Sequence, residues 1–190
     1  MTEQPSAAPS HAPKAAGLAA VVTAAAIAVA PFTMAREGTV YRSYPDPGTK
    51  GAPWTICNGH TGPDVHPNMT ATKAQCDAWF RADMTAKMNA VLRVSPELRG
   101  QFNPLKASGD FAFNAGQGRW PGSPMRAAFA KGQWEAGCNA FKGYMTGYRA
   151  PKAVPGRRCW VIKGKLYCEL PGLVDRRERE KLLCLTGQVK

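Results

Sequence analysis

The chain has 190 residues, of which 44% are hydrophobic and 20% are charged, and its formal net charge is +12. This length and composition fit one globular domain with a sizeable core and exclude a chain that is disordered throughout. The positive charge indicates either an anionic partner or a basic surface that is merely solvated. Because no nucleic-acid-binding motif occurs, we expect no nucleic acid partner and favour an anionic cell envelope.

The N-terminal part divides into a tail and an uncharged run. Residues 1–14 are rich in Ala, Pro and Ser and are predicted to form a disordered tail. Residues 15–35 are long enough to span a bilayer, but their apolar side chains favour insertion by only about 2–4 kcal/mol. Three interpretations stay open: a cleaved signal peptide with Ala28-Val29-Ala30 at its cleavage site, a permanent anchor, or a buried Ala-rich helix of a soluble protein.

Strands are predicted first and helices after them, which indicates an α+β fold. Short strands and turns are expected over residues 37–62, with a turn-rich tip at 47–53. The first helix begins at Thr72, where Gln75 completes a capping box. The next helix is predicted to start at Ser95-Pro96, with a break or kink at Pro104, and a buried helix is predicted to end at Gly116. Further helices are expected from Ser123-Pro124, over 133–141, and from Leu173 to Leu185 with Gly187 beyond it as a cap.

The six cysteines all follow the uncharged run, and their even number favours disulfides in an oxidising compartment. A zinc site is the rival, but no C-x-x-C pair occurs, so we expect no metal. Cys159 and Cys168 flank a hairpin that turns at Lys163-Gly164, and we expect them to pair across its base. For the other four we expect the pairs Cys57–Cys76 and Cys138–Cys184.

Two carboxylates in the first third of the chain suggest acid/base chemistry. Glu37 and Asp46 lie nine residues apart, and a tight turn after Glu37 followed by an extended return would bring Asp46 opposite it. A proton donor and a second carboxylate are what cleavage of a glycosidic bond requires, and Thr55 would help to position the water. Spacing alone does not separate such a pair from two ordinary surface carboxylates.

The wider motif carries a resemblance to a family. The sequence reads Glu37-x8-Asp46 and then Thr55-Ile-Cys-Asn-Gly-His-Thr-Gly62, with further matches at 72–76, 111–118 and 172–180. It resembles the phage lysozyme (endolysin) family, glycoside hydrolase family 24, over about residues 36–188. The gap from Asp46 to Thr55 is three residues longer than in the family pattern, which makes Thr55 the least secure match.

The resemblance implies a lysozyme-like muramidase domain over residues 36–190, with a small N-terminal β-hairpin lobe, a larger helical lobe and the cleft between them. It implies that Glu37 is the general acid, that Asp46 is the base or electrostatic partner, and that peptidoglycan is the substrate of a monomer that needs no cofactor. Arg176 would reach the acid and tune its pKa, with a solvated helix face as the alternative. Asn114 would either line the cleft or cap a helix end.

The uncharged run resembles the weak transmembrane segments of signal-arrest-release endolysins. That resemblance implies insertion of residues 15–35 into the host inner membrane, followed by release to the periplasm. The segment holds no cysteine, and Asp46 occupies the position that is Cys in relatives activated by thiol exchange, so refolding is the expected route of activation. The alternatives are a lytic transglycosylase and a non-catalytic membrane-tethered envelope-binding protein.

Two further features are interpreted through the family. His60 resembles a buried histidine that supports the hairpin rather than the chemistry. Residues 145–170 form a cysteine-bracketed insertion where a shorter loop is expected, and this insertion either extends the contact with substrate or braces the last helix.

Overall fold

The structure is a computed structural model, and it describes residues 17–46 and 53–188. The expected disordered tail, residues 1–14, and most of the expected tip at 47–53 lie outside the described residues. The helices are α1 Leu18–Glu37, α2 Lys73–Val94, α3 Phe102–Ala115, α4 Pro124–Phe129, α5 Trp134–Asn139 and α6 Pro171–Thr186, with 3₁₀ turns at Pro96–Gly100 and Gln117–Arg119. The strands are β1 Val40–Pro45, β2 Trp54–Cys57, β3 His60–Thr61, β4 Gly147–Arg149, β5 Cys159–Ile162 and β6 Lys165–Glu169.

The strands form two small antiparallel sheets, and helices make up most of the rest of the described chain. One sheet has the order β1-β2-β3 and the other has the order β4-β6-β5. The α+β class is as expected. The expectation that strands come first is wrong, because the 20-residue helix α1 precedes them.

Helix α1 belongs to the main hydrophobic core, where it packs on α2 and α3. Its inward face is made of small and β-branched side chains, which allow close helix packing, together with one phenylalanine: Val21, Val22, Ala25, Ala26, Val29 and Phe32. The same helix is long and apolar enough to cross a membrane by length and composition. Of the three interpretations of the uncharged run, the structure therefore presents the buried helix.

Several predicted helix ends are confirmed. Thr72 and Gln75 form both hydrogen bonds of the capping box at the start of α2. Gly187 ends α6 in the left-handed conformation with φ +75°. The predicted break at Pro104 is wrong, because Pro104 is the third residue of α3. In the first turn of a helix the missing N–H of proline leaves no intrahelical hydrogen bond unmade.

Three disulfides hold the described chain together. They join Cys57 to Cys76, Cys138 to Cys184, and Cys159 to Cys168, which are the pairs expected from the sequence. The first ties β2 to the start of α2, the second ties α5 to α6, and the third joins β5 to β6. Each bridge thus connects elements that are separate in the chain but packed together in the fold.

Candidate active site

Glu37 is the last residue of α1, and the chain that leaves it is fixed by two contacts. Gly38 has φ +69°, which glycine adopts without strain, and its N–H donates to the carbonyl of Met34 at 3.2 Å. The side chain of Asn58 donates both to the Gly38 carbonyl and to Thr39 Oγ1. The turn after β2 therefore holds the helix end that carries Glu37.

Arg176 from α6 holds the Glu37 carboxylate. Its Nη1 donates to Glu37 Oε1 at 2.5 Å, and the Glu37 side chain keeps 26% of its surface exposed. The other side of the guanidinium forms two hydrogen bonds with Asp110 of α3. Its Nε donates to Oδ2 at 2.9 Å, and its Nη2 donates to Oδ1 at 2.8 Å. Arg176 is thus fixed by a bidentate pair and presents its third nitrogen, Nη1, to Glu37.

Asp110 also receives a hydrogen bond from α1. Thr33 Oγ1 donates to Asp110 Oδ1 at 2.6 Å, and both side chains are fully buried. Helix α1 is therefore joined to the network at two points one turn apart, Thr33 and Glu37. Residues that are 77 and 139 positions apart in sequence meet in one continuous set of contacts.

Burial and neighbouring charges lower the pKa of one buried carboxyl in this network and raise the pKa of another. Burial on its own raises the pKa of Asp110, but the charge and hydrogen bonds of Arg176 outweigh it and hold that pKa below its usual value. Burial, followed by the nearby charge of Asp110, raises the pKa of Glu180 well above its ordinary value. For Arg176, burial works against the charged form, but Asp110 and Glu37 more than compensate and raise its pKa.

Glu37 lies in a groove of about 620 Å³ between the end of α1, the end of α3 and the start of α6. Asn114 lines this groove, and its Oδ1 accepts a hydrogen bond from Arg177. The alternative in which Asn114 caps a helix is wrong, because Gly116 is the C-cap of α3. Arg177 also pairs with Glu180 and lies over the ring of Phe111 at 4.7 Å. Buried, charged side chains therefore support the part of the groove that Asn114 lines.

Asp46 and Thr55 lie in the β1–β2 hairpin. Thr55 pairs with Tyr44 across the two strands, and the N–H of Asp46 donates to the carbonyl of Pro53 at 3.4 Å. The Thr55 side chain is buried, and its Oγ1 has no hydrogen-bond partner among residues 17–46 and 53–188. Glu37 and Asp46 therefore lie beyond the two ends of β1, and the strand lobe carries a buried hydroxyl that is unpaired within the described residues.

His60 supports the small lobe. Its Nδ1 lies 2.8 Å from Asp83 Oδ2, its Nε2 lies 3.3 Å from Asp64 Oδ2, and its ring stacks on Trp79 with centroids 5.0 Å apart. Both ring nitrogens are thus engaged by side chains that hold β3 against α2, which fits the structural role expected for this histidine.

Sequence reasoning missed three residues of the site. Asn58 lies inside the motif that was recognised but was given no role. Asp110 directly precedes a matched motif and is the one charged residue of the segment 107–115, which was a usable signal. Thr33 lies in the uncharged run, and nothing in its sequence neighbourhood signals a contact with a buried carboxylate.

Comparisons with known proteins identify the family of the chain. The model of the family described as Phage lysozyme matches residues 34–180. The chain is 32% identical to the SAR-endolysin of Enterobacteria phage PA-2 and 31% identical to that of Enterobacteria phage P21, in each case over 157 residues that make up 80% of this chain and 79% of the relative.

Solved structures share the fold. The active form of the P1 phage endolysin Lyz has a TM-score of 0.63 at 22% identity and covers 92% of this chain and 97% of its own. The muramidase domain of SpmX from Asticaccaulis excentricus has a TM-score of 0.63 at 24% identity, with coverage of 86% and 95%. The expected lysozyme-like fold is therefore confirmed, and the chain belongs to the phage lysozyme family of glycoside hydrolases.

Proposed function

We propose that this protein is a phage endolysin that hydrolyses the β-1,4 bond between N-acetylmuramic acid and N-acetylglucosamine in peptidoglycan. Glu37 is the general acid, Asp46 is the base or electrostatic partner, and Thr55 positions the attacking water. The observation that carries the proposal is the half-buried Glu37 carboxylate, held by Arg176 at the edge of an open groove.

Arg176 acts as a positioning residue for Glu37. Asp110 occupies two of the guanidinium donors, so Nη1 meets Glu37 Oε1 in a fixed direction. Glu37 Oε2 would then carry the proton to the leaving oxygen. Placement of this kind matters, because a misplacement of about 1 Å in an active site can cost a hundredfold in rate.

The strand lobe would supply the water. The Thr55 hydroxyl is buried and unpaired within the described chain, which is costly unless a ligand or water satisfies it. Asp46 directly follows β1, the strand that pairs with the strand of Thr55. A hydroxyl and a carboxylate on adjacent strands suit the task of orienting and activating one water molecule.

We further propose that α1 begins in the host inner membrane, where it holds the enzyme inactive, and is later released with the protein to the periplasm. Two relatives are named SAR-endolysins, and α1 has the length and composition of a membrane span. While α1 lies in a bilayer, Thr33 cannot reach Asp110 and Glu37 cannot reach Arg176. Docking of α1 would therefore complete the active site.

Retention of α1 fits the packing better than cleavage does. Cleavage after Ala30 would remove five residues that are buried in the core: Val21, Val22, Ala25, Ala26 and Val29. It would also leave only residues 31–37 of α1, so Thr33 and Glu37 would lose the part of the helix that packs in the core. A cleaved signal peptide is accordingly the less favoured interpretation.

Digestion of purified bacterial walls by the full chain tests the catalytic proposal. Glu37→Gln keeps the shape of the side chain but removes the proton donor, so turnover should fall by about two orders of magnitude or more. Glu178→Gln is the matched control, since Glu178 lies on the outer part of α6 and pairs with Lys142 and Lys181. A reducing muramic acid end in the products supports hydrolysis, whereas a 1,6-anhydro end would identify a lytic transglycosylase. Normal turnover by Glu37→Gln would contradict both.

Three exposed alanines of α1 allow a separate test of membrane arrest. Ala19, Ala24 and Ala28 face away from the core, so leucine at these positions strengthens insertion by several tenths of a kcal/mol each without disturbing the docked packing. The triple variant should stay in the membrane fraction and lyse cells slowly even after depolarisation. Serine at the same positions should speed release. Equal release of both variants, or a mature N-terminus at Pro31, would overturn membrane arrest and leave the catalytic proposal untouched.

A further inference from the structure

The insertion at residues 145–170 builds a second cavity outside the catalytic groove. Its volume is about 480 Å³, which lies within the range of small-molecule sites. The walls come from the sheet β4-β6-β5 and from the turns that precede it. Two aromatic rings, Trp160 and Tyr167, and two arginines, Arg119 and Arg158, are among the lining side chains.

The aromatic wall is held in place by the fold. Trp160 and Tyr167 are direct partners across β5 and β6, next to the Cys159–Cys168 pair. Their rings lie 6.5 Å apart and within 16° of parallel, and both side chains remain partly exposed. Trp160 also lies over Gly147, where an added Cβ would meet the ring at 2.5 Å. Gly147 thus makes room for the indole, and the disulfide fixes the register of the pair.

Two chain segments connect this cavity with the catalytic groove. One runs from Asn114 in the groove to Arg119 in the cavity, along the end of α3 and the turn that follows. The other is the junction between β6 and α6, where Glu169 lines the cavity and Leu170 lines the groove. The N–H of Leu170 donates to the carbonyl of Thr146, another cavity residue, at 2.9 Å. Residues that line the two openings are therefore neighbours in the chain at the junction between β6 and α6.

The lining suits a saccharide that is linked to carboxylates. A pyranose ring has an apolar C–H face that lies flat on an aromatic side chain, and its hydroxyl rim needs polar partners. Arg119 and Arg158 add positive charge, of which Glu169, 3.8 Å from Arg158, offsets one unit. Peptidoglycan offers both features, because its sugars carry lactyl and stem-peptide carboxylates.

We propose that this cavity is an additional saccharide-binding subsite that holds the glycan strand away from the cleaved bond, with one sugar ring lying on Trp160. The proposal rests on the proposed activity and names where a long substrate gains extra affinity. It assigns the insertion to substrate contact rather than to bracing of α6.

The test compares long glycan strands, stripped of stem peptides, with short oligosaccharides that fill only the catalytic groove. Trp160→Ala in the full chain should raise KM for long strands by about five- to tenfold and leave kcat unchanged, and it should not alter either constant for short oligosaccharides. Trp160→Phe should restore most of the affinity. Val161→Ala is the matched control, because Val161 lies next in β5, is 66% exposed and does not line the cavity.

Trp160→Leu guards against a folding defect, since it keeps the apolar bulk and removes the flat ring; it should melt like the parent and still lose affinity for long strands. If Trp160→Ala and Trp160→Leu match Val161→Ala on long strands, the subsite is absent although the enzyme is active. A loss seen only on strands that keep their stem peptides would overturn the saccharide assignment in favour of a peptide site. Failure of the proposed activity gives a different result, because the parent enzyme would then degrade neither substrate.

Discussion

The two sides of the active site are built differently. On the helical side, Glu37, Arg176, Asp110 and Thr33 contact one another through a continuous set of hydrogen bonds, most of it buried. On the strand side, the Thr55 hydroxyl has no partner within the described chain. The hydrogen bonds that hold Glu37 are therefore in place before substrate arrives, whereas the Thr55 hydroxyl is suited to bind water or substrate.

This difference separates stability from activity. Changes on the helical side should alter both, because Thr33, Asp110 and Arg176 are hydrogen-bonded to one another in the core and Arg176 also holds Glu37. Changes on the strand side should alter turnover and leave folding almost untouched. Paired measurements of thermal unfolding and wall digestion distinguish the two patterns.

Asp110→Asn should give the largest effect. It leaves the buried charge of Arg176 without its main partner, and loss of one member of a buried ion pair costs about 3–5 kcal/mol. Turnover should fall as well, since Arg176 no longer holds Glu37 in a fixed direction. Asp175→Asn is the control for the melting temperature alone, because this residue of α6 lines the groove but makes surface ion pairs with Arg36 and Arg179, whose loss should cost less than about 1 kcal/mol. Equal melting temperatures for the two variants would contradict the network.

The same variant gives a pH test. The pKa of Asp110 is lowered in the folded protein, so its stabilising effect is fully present above the usual carboxyl pKa of about 4 and is lost as the pH falls through the lowered value. The difference in melting temperature between the parent and Asp110→Asn should therefore shrink as the pH falls below about 4. A difference that stays constant down to pH 2 would show that the charge of Asp110 does not stabilise the fold.

Asp46→Asn tests the other side. We expect turnover to fall by about two orders of magnitude, because the variant loses the carboxylate proposed as base or electrostatic partner, while the melting temperature stays within about 2 °C of the parent. Asp77→Asn, on α2 beside the exposed Lys73, controls for loss of a negative charge. Strong destabilisation by Asp46→Asn would mean that the strand side is also a structural network.

The local parts of this molecule could be read from its sequence, and the long-range parts could not. The capping box at Thr72 and the cap at Gly187 depend on neighbouring residues, so they were predicted. The start of α3 carries no such signal, because Gln101 makes no side-chain capping bond, and Pro104 was therefore misread as a break. Spacing and the family pattern indicate Glu37 and Asp46 as the catalytic pair, and that assignment stays a prediction. The contacts of Asp110 with α1 and α6 join residues 77 and 66 positions apart, and no local rule predicts them.

Thr33→Val tests the docking of α1 with a smaller change. It removes a hydrogen bond to a charged, buried acceptor, which should cost about 1.5–3 kcal/mol, and Thr33→Ser should recover most of the loss. Thr23→Val on the exposed face of the same helix is the matched control. Both valine variants raise the apolarity of α1 equally, so any difference in unfolding comes from the docked contact. Identical unfolding of the two would exclude a stabilising role for the Thr33–Asp110 bond.

Among these variants, Thr55→Val should change the free energy of unfolding least, so it tests the difference between the two sides most directly. Valine has nearly the shape of threonine, and the hydroxyl it removes has no partner in the described chain. The free energy of unfolding should therefore change by less than about 1 kcal/mol, and any increase would mean a slightly more stable fold. Turnover should nevertheless fall by about tenfold, because the variant lacks the hydroxyl proposed to orient the attacking water, and Thr55→Ser should keep most of the activity. If Thr55→Val instead destabilises the fold by more than about 2 kcal/mol while turnover per folded molecule is unchanged, then Thr55 is a structural residue. The strand side would then have been completed by the protein itself rather than by water.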